Sequence, residues 1–159
     1  MRPTLFLYCC LFIFFISCSA EDKNLPYKDL LSYGIPIEIQ APDSVKINTS
    51  EVGALKDVTL TGEDGYKIQI FSSPAYNNKS TAVKEYKEEI SNHPQFKEFL
   101  REEPSGFLYA FQLDSTTVNY GFRYISVKGG KEIVIQQGML GIYTEDQASQ
   151  LFNYALQSK

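Results

Sequence analysis

The chain has little of what catalytic and metal-binding proteins commonly use. Its 159 residues include no tryptophan, one histidine (His93) and three cysteines, Cys9, Cys10 and Cys18. No cysteine follows position 18, which excludes a disulfide framework in the body. A protein zinc site draws on several His or Cys ligands, and a Ser-His-Asp triad would need His93 as its base. No Gly-x-Ser-x-Gly turn is present to offer a nucleophile. His93 lies in Asn92-His93-Pro94 at a helix break and reads as a turn or cap residue. Gly129-Gly130 sits between strand-forming segments, with no helix start behind it to receive a phosphate. The segment 61–65 offers only Glu63 and Asp64 and lacks the dense ligand pattern of a calcium loop. No catalytic residue, metal or cofactor is expected.

Long apolar runs are also missing. The longest, Leu5 to Ile16, has twelve residues, whereas a membrane-spanning helix needs about 20. One positive charge, Arg2, precedes it, and Ser19, Glu21 and Asp22 end it. A short apolar core after a positive start is the pattern of an export signal. Without Arg2, the 15 Lys and Arg become 14 against 19 Asp and Glu, a net charge near −5. That balance argues against nucleic acid, which calls for a basic face, and against an electrostatic grip on anionic lipid.

Ser17-Cys18 closes the apolar run. A small residue before a cysteine, with no cysteine afterwards, resembles the bacterial lipoprotein signal of the Bacteroidetes type. Phe15 stands where that motif usually carries Leu. The resemblance implies cleavage before Cys18, a thioether-linked diacylglycerol on its thiol and an acylated amine. Ordinary secretion with a cut near Ala20 is the competing reading. The lipoprotein reading divides the chain into a signal at 1–17, lipidated Cys18 with a tether over 18–33, and a domain over 34–159. Ser19 and the Glu21-Asp22 pair further imply outer-membrane placement, facing the periplasm or the surface. The partners expected are the membrane, through the lipid, and an envelope protein or small ligand.

The body alternates. Ile35, Ile37 and Ile39, then Val45 and Ile47, then Val58 and Leu60, each follow the period of a half-buried strand. Gly62 to Gly65 make a hairpin turn with an Asp-Gly pair, and Tyr66, Ile68 and Ile70 return. A helix begins near Ser80 or Thr81. Pro94 breaks it, Phe96, Phe99 and Leu100 continue its apolar stripe, and Pro104 and Gly106 end it. Its carboxylates, Glu85, Glu88, Glu89, Glu98, Glu102 and Glu103, are interleaved with Lys84, Lys87, Lys97 and Arg101 and read as a solvated, ion-paired face. Three strands follow, over 107–113, 118–127 and 132–142. Thr144 and Gln147 form a capping box for a last helix whose apolar face is Ala148, Leu151, Phe152, Ala155 and Leu156.

The fold class expected is therefore α+β, a mainly antiparallel sheet with two main helices, either two-layered with both helices on one face or an α/β/α sandwich. Element order, size and the lipoprotein setting together resemble the PsbP-like families, whose members are mostly non-enzymatic accessory proteins. The feature above background is aromatic. Phe107, Tyr109 and Phe111 alternate along one strand, and Tyr120, Phe122 and Tyr124 along the next. If the hairpin aligns the triples, six rings share one face. That face is either core under the helices or an open surface for a protein, glycan or lipid. Arg123 points to the face opposite its strand's rings. The function expected is an anchored, non-enzymatic binding module, with a small hydrolase using carboxylates or tyrosine as the alternative.

Overall fold

A computed structural model describes residues 25–159. The signal, Cys18 and the first part of the tether lie outside the described residues. The elements run β1 (Tyr27–Asp29), a 3-10 turn (Leu31–Tyr33), β2 (Glu38–Gln40), β3 (Lys46–Val52), β4 (Leu55–Thr61), β5 (Lys67–Pro74), α1 (Lys79–Ser91), β6 (Phe96–Glu103), β7 (Gly106–Gln112), β8 (Val118–Lys128), β9 (Lys131–Gln137) and α2 (Glu145–Leu156). Seven strands form one sheet in the order β3-β4-β5-β9-β8-β7-β6, and β1 pairs with β2 apart from it. Every pairing is antiparallel. The class is α+β, as the alternating segments and hairpin turns indicate.

The turns carry the chemistry expected of them. Asp64 and Gly65 both have positive φ, 54° and 78°. That is the two-residue arrangement whose twist matches the flanking strands and for which Asp-Gly is suited. Asp114 organises the turn between β7 and β8. Its carboxylate accepts from the Thr116 amide at 2.8 Å and the Thr117 amide at 2.9 Å, and these bonds hold its pKa down to about 2. Asn78, rather than Ser80 or Thr81, caps α1, accepting from the Thr81 amide at 3.0 Å. The capping box of α2 is present in full, with Thr144 and Gln147 bonding reciprocally.

One helix lies on each face of the sheet, so the two-layer alternative gives way to a helix–sheet–helix sandwich. α2 buries Ala148, Leu151, Phe152 and Ala155 against Val58, Leu60, Ile68, Ile70, Leu108, Phe122 and Ile135. α1 buries Ala82 and Ile90 against Phe107, Tyr109 and Ile125. Each fully buried Leu, Ile or Phe stabilises by about 1.5–3 kcal/mol. Most such side chains lie on the α2 face, which makes it the principal core.

Four expectations need correction. The last strand, expected over 132–142, ends at Gln137, and 138–142 form a loop. Residues 96–103 form a strand that pairs with β7 and do not continue the helix. Only Glu38–Gln40 of the expected 35–39 strand is extended, although Ile35, Ile37 and Ile39 are all buried. The tether does not reach residue 33, because Tyr27–Asp29 pairs with β2 and Leu30 is wholly buried in the principal core. The C-terminus closes this corner: Glu38 and Lys159 exchange two backbone bonds of 3.0 Å.

Candidate functional site

The two aromatic triples do not share a face. In the β7–β8 hairpin Phe107 pairs with Arg123, Tyr109 with Gly121 and Phe111 with Asn119. Leu108 pairs with Phe122 and Ala110 with Tyr120. A one-residue offset sends every side chain of a strand to the other face. Phe107, Tyr109 and Phe111 therefore lie under α1, whereas Tyr120, Phe122 and Tyr124 lie on the α2 side. Phe107, Tyr109 and Phe122 are buried core residues, and Phe111, Tyr120 and Tyr124 are half-buried. The six rings therefore form no shared face.

Arg123 shares the α1 face with Phe107 and Tyr109, and its Nη1 donates to the Tyr109 hydroxyl at 3.4 Å. Strand register places it in a polar row that crosses five strands: Asn48, Thr59, Gln69, Gln136 and Arg123. Gln69 and Gln136 are buried. The Gln69 amide donates to Asp57 Oδ2 at 2.8 Å, and Gln136 reaches Gln69 Oε1 at 3.5 Å. Beside the row, the Tyr86 hydroxyl donates to Glu132 at 2.9 Å. Burial and then this bond raise the phenol's pKa. Buried amides need such partners, and this network supplies them internally. The row is a strip of polar side chains bonded to one another within the sheet.

The carboxylates are dispersed. Glu88 pairs with Lys84 at 3.7 Å, Glu98 with Lys97 at 3.8 Å and Glu103 with Arg101 at 2.9 Å. Lys87 crosses from α1 to Glu102 on β6 at 2.6 Å, and its ammonium lies over the Phe99 ring at 4.9 Å. The groove between α1 and β6 is thus bridged by an ion pair over an aromatic floor. Such exposed pairs stabilise by about 0–1 kcal/mol each. No group of three His, Cys, Asp or Glu able to hold a metal occurs among the described residues. His93 stacks on Phe111 with centroids 4.5 Å apart, and its Nδ1 accepts from the Gln95 amide at 3.2 Å. It is a residue of the turn between α1 and β6.

The two edges of the sheet differ in a way that bears on binding. β6 is interrupted twice, with register shifts between Phe96 and Glu98 and between Phe99 and Arg101. It also carries Lys97, Glu98, Arg101, Glu102 and Glu103. Bulges and charges are the devices that keep an edge from pairing further. β3 has no bulge and fewer charges. All seven of its residues pair with β4 in unbroken register. Six are exposed, and only Lys46 and Glu51 are charged. Among the described residues no strand pairs with its outer side, which presents a row of outward amides and carbonyls. Val52 and Leu55 stand exposed at the tip of the β3–β4 hairpin, and Leu31 and Tyr33 stand exposed in the 3-10 turn, where a shallow depression joins them to residues 49–51. Sequence reasoning placed a strand near Val45 and Ile47 but had no means to see that it is terminal in the sheet. No family model, curated protein or solved structure matches this chain.

Proposed function

We propose that the mature protein is a lipid-anchored cell-envelope module, acylated at Cys18, that binds a partner protein without chemistry of its own. The partner adds an extended segment to β3. The observation that carries this reading is the contrast of edges: β6 is bulged twice and carries five charges, whereas β3 is regular, exposed and carries two. Main-chain bonding along a free edge supplies affinity, and neighbouring side chains supply selectivity. Val52 and Leu55 at the tip offer the apolar contacts that such a segment needs. The dispersed, ion-paired carboxylates and the internally satisfied tyrosines favour this reading over a hydrolase. The helix–sheet–helix layering agrees with the PsbP-like sandwich, whose members are mostly accessory proteins.

Two measurements test the proposal. Mass spectrometry of the mature N-terminus should find Cys18 carrying diacylglycerol, and an unmodified start at Ser19 or later overturns the anchor. Envelope partners captured by the wild-type domain should be lost by Asn48→Lys with Ser50→Lys, both on exposed positions of the β3 edge. Retention of the same partners by that variant overturns the edge.

A further inference from the structure

The exposed large apolar residues gather at opposite ends of the sheet. Val52 and Leu55 lie at the end where β9 begins, and Tyr76 follows β5 there, because Pro74 pairs with Lys131. At the other end, the segment after β9 reads Gly138-Met139-Leu140-Gly141-Ile142. Met139, Leu140 and Ile142 are 71%, 80% and 63% exposed. This loop is a braced protrusion. At its start the Gly138 amide donates to the Lys67 carbonyl at 2.9 Å. At its end the Tyr143 amide donates to Asn119 Oδ1 at 2.8 Å, and the Tyr143 hydroxyl donates back to the Gly138 carbonyl at 3.2 Å. Both stems are fixed while three apolar side chains face water.

The chain enters the fold at the same end. Leu25 lines a cavity of about 450 Å³ together with Gly65, Tyr66, Gln147 and Tyr154. Gly65, Tyr66 and Gln147 also line the adjoining depression that contains Leu140 and Ile142. Seven residue steps lead from Cys18 to Leu25. At about 3.3–3.6 Å per residue they span at most about 25 Å. A lipid on Cys18, the anchor proposed above and on which this step rests, therefore holds this end within reach of the bilayer surface. The end is mixed in charge, with Lys46 and Lys67 in one cross-strand row with Thr61 and Glu63 and Asp64 in the adjacent turn. Its common feature is the apolar loop.

We propose that Met139, Leu140 and Ile142 insert into the lipid interface as a second membrane contact. The diacylglycerol on Cys18 already holds the chain stably, so what the loop adds is a second point of contact that sets orientation. The loop fixes which end of the domain faces the membrane, and it leaves the β3–β4 tip pointing away.

The absence of tryptophan and of body cysteines makes the test clean. Among the described residues, every member of both cores lies between Leu25 and Leu156, so a chain from Cys18 to Lys159 carries all of them. That chain, coupled through the Cys18 thiol to a maleimide lipid, is placed on phosphatidylcholine vesicles with and without phosphatidylglycerol. The probe is Leu140→Trp, and the control is Tyr76→Trp at the opposite end. Chemical coupling makes the outcome independent of whether cells acylate Cys18, which the mass measurement reads separately. The Leu140→Trp emission should shift to the blue on coupling, lose access to aqueous iodide and be quenched by brominated acyl chains in both lipids. Tyr76→Trp should show none of these changes. Met139→Ser with Ile142→Ser should abolish the shift. Equal behaviour of the two probes overturns the proposal. So does a shift that needs phosphatidylglycerol, or one that appears without vesicles as protein concentration rises, which marks a self-association face.

Discussion

Tyr109 and Gly121 are cross-strand partners in which one ring fills the space of a missing side chain. A Cβ built on Gly121 would meet the Gln137 side-chain amide and lie 2.8 Å from both the Cζ and the hydroxyl of Tyr109. Tyr109 cannot readily move aside. It is 2% exposed, its ring centroid is 5.0 Å from that of Phe111, and its hydroxyl accepts from Arg123. Gly121→Ala is therefore expected to destabilise the fold by about 1–3 kcal/mol, the usual cost of overpacking a filled core. Thermal melting monitored by circular dichroism measures it. An unchanged midpoint would show that the ring is free to shift.

The same pairing separates Tyr109 from Tyr124. Tyr109→Ala removes a buried ring beneath α1 and should cost about 3–5 kcal/mol. Tyr124→Ala removes a half-buried ring on the α2 side and should cost about 1–2 kcal/mol, within the ordinary range for single changes. Urea unfolding of both variants gives the difference directly. Equal costs would contradict the assignment of the two rings to different faces at different depths.

These rings also mark where sequence reasoning reached its limit. Alternation within each strand was legible from residue spacing, and each triple does keep to one face. The relation between the strands depends on where the turn at Asp114 closes, and a shift of one residue reverses it. Residues 96–103 failed for a different reason. Phe96, Phe99 and Leu100 fall at helical spacing among good helix formers, yet β7 offers a full edge to pair with. The register shift between Phe96 and Glu98 lets the strand keep both Phe96 and Phe99 on the α1 side. Tertiary pairing outweighed local preference there. The α2 start depended on no partner, and Thr144 and Gln147 announced it unaided. The free edge of β3 is a property of strand order, which no local pattern encodes.

Thr144→Ala should cost about 1 kcal/mol. Its hydroxyl accepts from the Gln147 amide at 3.3 Å, and Gln147 accepts in return from the Thr144 amide at 3.0 Å. Loss of a helix cap typically has this effect. α2 supplies Leu151 and Phe152 to the principal core, so the loss should appear in global unfolding and not only as fraying. Denaturant melts of Thr144→Ala and Thr144→Ser separate the two, with the serine variant close to wild type.

Tyr66 makes stability fall at high pH. Its hydroxyl donates to the Gln40 carbonyl at 2.6 Å, and burial, with the neighbouring Tyr154 phenol, raises its pKa above the ordinary value of 10.0. The folded state therefore holds the proton more tightly than the unfolded chain does. This contribution is fully present below about pH 10 and declines above it. The decline is about 1.4 kcal/mol per pH unit for a group that stays protonated when folded. Tyr86 and Tyr143 shift in the same direction, but both are partly solvated and contribute less. Unfolding free energy measured from pH 8 to 11 should drop beyond pH 10, and Tyr66→Phe should drop less steeply. Parallel curves would remove Tyr66 as the cause.

The two sheet edges should respond oppositely to the same provocation. Asn48→Val with Ser50→Val would make β3 a regular apolar strand with its outward backbone groups unchanged. Such an edge templates pairing with another chain. Light scattering should therefore rise with concentration well above wild type. Glu98→Val with Glu102→Val places the same two apolar side chains on β6 and also removes two charges, but the shifts at Phe96/Glu98 and Phe99/Arg101 still break the run of outward bonds. That variant should scatter like wild type. If β6 assembles and β3 does not, charge alone protects these edges. The regularity of β3 would then be no guide to where a partner strand is added.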